Sequence, residues 1–168
     1  DLRMTSGIAA VHSDMITWND NDTNESMAKQ LIAVLFGVPQ VSVRLASISP
    51  EHYEVLKFYL GFWTEHRETL LDGKLKIYNP EANYSMAEAE RDGEKICVCY
   101  SRNIAEYSGG TLTVVNGTGE EFIAVTADSN VSYKILGCKG ELLESGEKSI
   151  KGIAGFNVPQ SGMLIISK

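Results

Sequence analysis

The stretch VHSDMITWNDNDTNESMAKQLIAVLFGVPQVSVRL, Val11 to Leu45, carries three local patterns in succession. Ile8 to Met15 is apolar without alternation, which reads as a buried strand of the parallel kind. Asn19 to Thr23 is a turn-forming cluster, and Asp22 or Thr23 then serves as a helix cap, with Glu25 in the first turn at the positive end of the helix dipole. Met27, Leu31, Val34 and Leu35 recur at helical spacing on one apolar face, and Gly37 ends the run. After Val38-Pro39, the residues Val41 to Leu45 alternate like a second strand. The order is strand, helix, strand. In α/β enzymes substrate contacts gather at the C-terminal ends of strands, which makes Asp14 the first residue to test.

Downstream of this stretch, Ser49-Pro50-Glu51 signals a second helix, with Ser as cap and Pro at the first helical position. Val55, Leu56, Tyr59, Leu60, Phe62 and Trp63 keep helical spacing, and Asp72-Gly73 stops the run. A β-α-β-α order fits consecutive units of a parallel sheet or of an eightfold barrel, of which two units are only a part. Beyond Gly73 the composition changes. Lys74 to Tyr78, Lys95 to Ser101, Thr111 to Asn116, Glu121 to Thr126, Val131 to Leu136, Gly140 to Glu144, Gly152 to Val158 and Gly162 to Ser167 are short strand candidates. Clusters such as Ser108-Gly109-Gly110 and Asp128-Ser129-Asn130 separate them, the spacing expected of an antiparallel sandwich. The domain boundary is therefore expected near Asp72 to Lys74, dividing residues 1–73 from 74–168. The first part has 5 basic and 10 acidic residues, net -5, and the second 10 and 12, net -2.

Of the 168 residues 43% are hydrophobic, enough apolar material for a core, and the formal net charge is -7. That balance argues against a nucleic-acid partner, which needs clustered Lys and Arg to displace counterions from phosphates. The first residues lack the basic and apolar regions of a secretion signal, and no run of eighteen apolar residues follows, so no membrane partner is expected. The compartment stays open. The chain starts without Met and passes at once into a strand pattern, which is expected of a piece of something larger. Cys97, Cys99 and Cys138 are odd in number and lack paired Cys-x-x-Cys spacing, so they read as small buried hydrophobes.

His12 stands two residues before Asp14, so strand alternation puts both on one face with Ser13 on the other. This is a polar cluster suited to a polyhydroxylated ligand, or else a strand-end Asp bonded to the next turn. Trp18 is either a stacking platform for a sugar ring or an ordinary loop aromatic. Asp20 and Asp22 resemble half of a calcium loop but lack its bidentate Glu, so no metal is expected. Glu65-His66-Arg67-Glu68 reads as surface ion pairs. No phosphate loop, serine elbow or His-Glu-x-x-His occurs, no cofactor is implied, and no carboxylate pair suited to glycoside hydrolysis can be assembled.

Four segments carry a resemblance: Asp1-Leu2-Arg3-Met4-Thr5-Ser6-Gly7, Val11-His12-Ser13-Asp14-Met15, Leu35-Phe36-Gly37-Val38-Pro39-Gln40, and Phe62-Trp63-Thr64-Glu65-His66-Arg67-Glu68-Thr69-Leu70-Leu71-Asp72-Gly73. They resemble a glycoside hydrolase family 36 α-galactosidase (melibiase). The resemblance implies the last two β/α units of a (β/α)8 catalytic barrel followed by an antiparallel β-sandwich. It implies retaining hydrolysis of terminal α-galactosides by an Asp nucleophile and an Asp acid/base, both upstream of Asp1, so that this chain has no catalytic residue of its own. Asp14 and Met15 look like the Asp and Met that contact galactose in the related family 27 enzymes, although Ser13 and His12 replace the Pro and the first Asp of that motif. The expected substrate-binding residues are thus Asp14, Met15, His12 and Trp18, and the expected partner is a galactose-containing oligosaccharide. An incomplete barrel exposes strand edges and apolar helix faces, so self-association through residues 1 to 60 is expected. The rival expectation is a non-catalytic carbohydrate-binding or interaction module using aromatics of residues 74–168, such as Tyr107 or Tyr133.

Overall fold

The computed structural model describes residues 11–168. Strand β1 (His12–Ile16) is followed by helix α1 (Asn24–Ala33), strand β2 (Val38–Val41) and the long helix α2 (Pro50–Asp72). Thr23 caps α1 by accepting the Ser26 N–H at 3.2 Å, and Ser49 caps α2 by accepting the His52 N–H at 3.1 Å. These bonds satisfy amides that have no partner within the helix. Helix α2 ends at Gly73, whose N–H reaches the Thr69 carbonyl at 3.1 Å. A Cβ there would stand 2.2 Å from that oxygen, so only glycine fits this close approach.

Apart from a 3-10 turn at Pro80–Ala82, the regular elements that follow are strands: β3 (Lys74–Tyr78), β4 (Met86–Arg91), β5 (Glu94–Cys99), β6 (Ile104–Glu106), β7 (Thr111–Asn116), β8 (Ile123–Leu136), β9 (Leu142–Phe156) and β10 (Met163–Ser167). They form one eight-stranded mixed sheet, ordered β3-β4-β5-β7-β10-β8-β6 with β9 on the other edge of β8, curled into a half-barrel. Pairs β5–β7 and β6–β8 are parallel, and the others are antiparallel.

This overturns the expected fold class of two (β/α)8-barrel units followed by an antiparallel sandwich. Among the described residues β1 and β2 pair only with each other. The two helices do not wall a ring of strands but share one core with a face of the large sheet. Met27, Leu31, Ile32, Val55, Leu56, Tyr59 and Leu70 pack there with Ala87, Ala89, Ile96, Val98, Val115 and Met163. Nor do the described residues form two stacked antiparallel sheets. The single sheet curls around a second core that includes Cys97, Cys99, Leu112, Val125, Ile135, Ile150, Phe156, Leu164 and Ile166. The physical reason for the difference is that helical spacing fixes which face of a helix is apolar, not which surface that face meets.

Several strand limits also move. Asp128-Ser129-Asn130 is not a turn: it lies inside β8, opposite Lys151, Ile150 and Ser149 of β9. The hairpin turns instead at 137–141, where the Gly137 N–H bonds the Glu141 carbonyl at 2.9 Å. Strand β2 begins three residues earlier than the alternation of Val41 to Leu45 implies. Val38 N–H bonds the Val11 carbonyl at 2.8 Å and Ser42 N–H the Ile16 carbonyl at 3.0 Å. Pro39, which has no N–H to give, therefore falls on the side of β2 turned away from β1.

Candidate functional site

The β1–β2 pair and the loop that leaves β1 hold the residues expected to touch a ligand. The register runs His12 opposite Val38, Met15 opposite Gln40 and Ile16 opposite Val41, with an irregularity between His12 and Met15. Two steps on β2 answer three on β1, so the strict alternation assumed for His12, Ser13 and Asp14 does not hold along this strand. Ser13 Oγ accepts the Gln40 N–H at 2.8 Å, taking a ladder bond that a carbonyl would otherwise supply. Gln40 Nε2 and His12 Nδ1 lie 3.5 Å apart, which sets the Gln40 amide beside the imidazole. His12 and Met15 are exposed, Met15 at 64%. Asp14 belongs to β1 by its backbone, and its side chain lies outside the described residues.

Gly37 lets the two strands meet at this place, because a Cβ on it would stand 2.9 Å from the Val11 carbonyl oxygen. Its own carbonyl accepts Trp63 Nε1–H at 2.8 Å, anchoring the start of β2 on helix α2. The loop past β1 is folded by its own polar groups. Asp22 Oδ2 accepts the Asn19 N–H at 3.0 Å, and the Asp22 N–H bonds the Asn19 carbonyl at 3.0 Å. The Asp22 carboxylate is thereby used as a turn acceptor. Among the described residues there is no cluster of three or more His, Cys, Asp or Glu able to hold a metal.

Trp18 is half-buried and packs edge-on against His52, with ring centroids 6.4 Å apart and planes at 87°. His52 is 3% exposed, and its Nε2 lies 2.9 Å from the Asp22 carbonyl oxygen. Sequence reasoning passed over His52 because it sits in the first turn of a helix, where a polar residue is unremarkable. The available signal was its place three residues before Val55, on the buried side of α2.

A second polar cluster joins α2 to the large sheet. His66 Nδ1 lies 2.6 Å from Glu94 Oε1, and the Thr69 hydroxyl donates to Glu94 Oε2. The Phe62 ring covers the imidazole at a centroid distance of 4.4 Å. His66 thus ties the helix to β5, whereas Glu68 makes the expected surface pair, with Arg91 at 3.3 Å. Beside this cluster a groove of about 600 Å³ runs between α2 and the sheet, floored by Phe58, Phe62, Leu136 and Met163.

The aromatics named for the rival reading are occupied otherwise. Tyr107 is 6% exposed and donates to the Gly110 carbonyl at 3.1 Å. Tyr133 bonds Glu144 Oε1 at 2.5 Å and sets its ring edge-on to Phe156. No protein-family model matches this sequence, and a search of curated proteins finds no match.

Proposed function

We propose that this chain supplies the substrate-contacting part of a retaining α-galactosidase that hydrolyses terminal α-galactosides. The observation that carries the reading is the meeting of Val11-His12-Ser13-Asp14-Met15 and Gly37-Val38-Pro39-Gln40, two of the segments that resemble family 36 enzymes, on adjacent parallel strands. His12 and Met15 are exposed on β1, and Trp18 stands two residues beyond its end. In this reading Asp14 accepts hydrogen bonds from sugar hydroxyls, Met15 lies against the ring, and Trp18 offers an aromatic edge or face to its C–H groups.

Hydrolysis with retention needs two carboxyl groups roughly 5–5.5 Å apart, one attacking the anomeric carbon and one protonating the leaving oxygen. We assign both to the part of the intact protein outside these 168 residues. Water then cleaves the glycosyl-enzyme, with the second carboxylate acting as base. The test is hydrolysis of p-nitrophenyl α-galactoside by the intact protein, where turnover is expected and Asp14→Ala raises KM. Turnover of another glycoside but not of this one overturns the substrate assignment, and hydrolysis by residues 1–168 alone overturns the division of labour.

The same reading predicts that the isolated chain self-associates through residues 1 to 60. Strands β1 and β2 lack further neighbours among the described residues, and Val41, Leu45, Tyr53, Leu56 and Leu60 line one apolar hollow, with Leu45 62% and Tyr53 48% exposed. A monomer by light scattering counts against it.

A further inference from the structure

Two buried polar atoms beside the candidate site have no partner in the described protein: Trp18 Nε1 and His52 Nδ1. Their chemistry is complementary. His52 Nε2 lies 2.9 Å from the Asp22 carbonyl oxygen, and a carbonyl only accepts, so Nε2 carries the proton. In the neutral ring this leaves a lone pair on Nδ1, an acceptor in need of a donor. The Trp18 indole N–H is a donor with no accepting capacity. The rings meet edge to face at 6.4 Å, and His52 is 97% buried by its 3% exposure. Leaving a buried donor and a buried acceptor both unanswered forfeits the hydration of each, whereas one group able to accept and donate at once answers both.

We propose that Trp18 and His52 form a site for a single hydroxyl group, which accepts from Trp18 Nε1–H and donates to His52 Nδ1. The group is a water or a hydroxyl of the sugar. A carboxylate is excluded because it has no proton to give the lone pair on Nδ1, and an ammonium because it cannot accept from the indole. The site gives His52 two tasks: it holds the Asp22 carbonyl of the β1 exit loop through Nε2, and through the bridging hydroxyl it fixes the plane of Trp18. His52 is thereby a positioning residue for the proposed sugar platform. That last consequence rests on the α-galactosidase reading, but the hydroxyl site does not.

The experiment uses the intact protein carrying ¹⁵N-labelled histidine and tryptophan, examined by NMR at neutral pH. The expected result is a His52 ring with its proton on Nε2 and none on Nδ1, and a Trp18 indole N–H protected from exchange. His52→Gln keeps an amide N–H near the Nε2 position for the Asp22 carbonyl but places no acceptor at Nδ1. It should speed Trp18 indole exchange about tenfold, the loss of one buried hydrogen bond. Should that variant not fold, Trp18→Phe provides the reciprocal test, shifting the His52 Nδ1 resonance while leaving Nε2 protonated. A His52 protonated on Nδ1, or an indole that exchanges as fast in the unmodified protein as in His52→Gln, overturns the proposal. Saturating methyl α-galactoside identifies the source. Movement of both the Trp18 indole and His52 Nδ1 signals assigns the hydroxyl to the sugar, and movement of His12 alone assigns it to water. If the sugar moves no signal while the tautomer and exchange results hold, the hydroxyl site stands and the α-galactoside reading falls.

Discussion

Asn116 on β7 and the Trp18–His52 pair beside β1 both bury polar atoms, and the chain treats them in opposite ways. Around Asn116 every group is answered from within. Its side-chain amide donates to the carbonyls of Glu120, Val158 and Pro159 at 2.8–3.2 Å, and its Oδ1 accepts from the N–H and hydroxyl of Thr118. Its backbone pairs with Gly162 and Ser161. Around Trp18 and His52 the chain leaves one donor and one acceptor over. A saturated network fastens structure, since each member lost strands another, whereas an open donor and acceptor at a strand exit are what recognition of a hydroxyl requires. The large sheet is thus the fastened region, and the edge near β1 is the one proposed to meet a ligand.

Substitutions test that division, and the largest effect is expected at Asn116. Asn116→Ala leaves the Val158 carbonyl and the Thr118 N–H without their partner and takes one bond each from the Glu120 carbonyl, the Pro159 carbonyl and the Thr118 hydroxyl, and should cost roughly 3 kcal/mol in urea unfolding. A loss below about 1 kcal/mol would mean that the network does not fasten the sheet.

Tyr59→Phe comes next. The Tyr59 hydroxyl donates to the Ser161 carbonyl at 2.6 Å, and the Ser161 hydroxyl donates to the Glu25 carbonyl at 2.9 Å, so one buried serine joins α2, α1 and the loop before β10. Burial pushes the phenol well above the usual tyrosine range, so it stays protonated and donating. Its removal should cost about 1–1.5 kcal/mol, read from the urea midpoint.

Cys138 links the two regions, packing in the helix-side core just beyond β8. Burial first, then the charges of Glu25 and Glu141, push its thiol up to about 11 from 9.0. At pH 8 it should react with iodoacetamide more slowly than the same thiol in urea, with the native rate climbing towards pH 11. Because the folded value is the higher one, this thiol's contribution to stability is intact below pH 9 and fades as pH rises through about 11. Equal rates in native protein and in urea at pH 8 would contradict the burial.

The smallest effect belongs to Arg102, whose guanidinium meets Glu120 Oε2 at 2.7 Å with both side chains largely in solvent. Arg102→Ala should leave the urea midpoint unmoved. Since the backbone carbonyl of the same Glu120 serves Asn116, this substitution separates the side chain's surface pair from the network beneath it.

The features that local chemistry decides were legible in the sequence. Ser49-Pro50 and Gly73 bound α2 because a cap, a fixed φ and a close backbone approach act over a few residues. What a distant partner decides was not. Asp128-Ser129-Asn130 has the composition of a turn, yet β9 pairs along its whole length and holds it extended. Met86–Arg91, rich in Ala and Glu, gives no strand pattern, but β3 and β5 on either side impose one and bury both of its faces from Met86 to Ala89. At the candidate site His12, Met15 and Trp18 were visible beside a strand end. His52 was not, since its role depends on a loop carbonyl 30 positions earlier in the chain.

Strand β9 runs for 15 residues against β8 and offers its other margin to solvent. Such a margin is a template on which a neighbouring molecule's backbone can crystallise into a growing ribbon. Glu144, Glu147, Lys148 and Lys151 are set along it, and Gly152 lies within it at a φ of 92°. The charges set along that rim oppose such growth: taking away Glu147 and Lys151 would favour fibre, whereas taking away Glu144 or Lys148 would in addition free the Tyr133 hydroxyl or uncover the Phe156 ring.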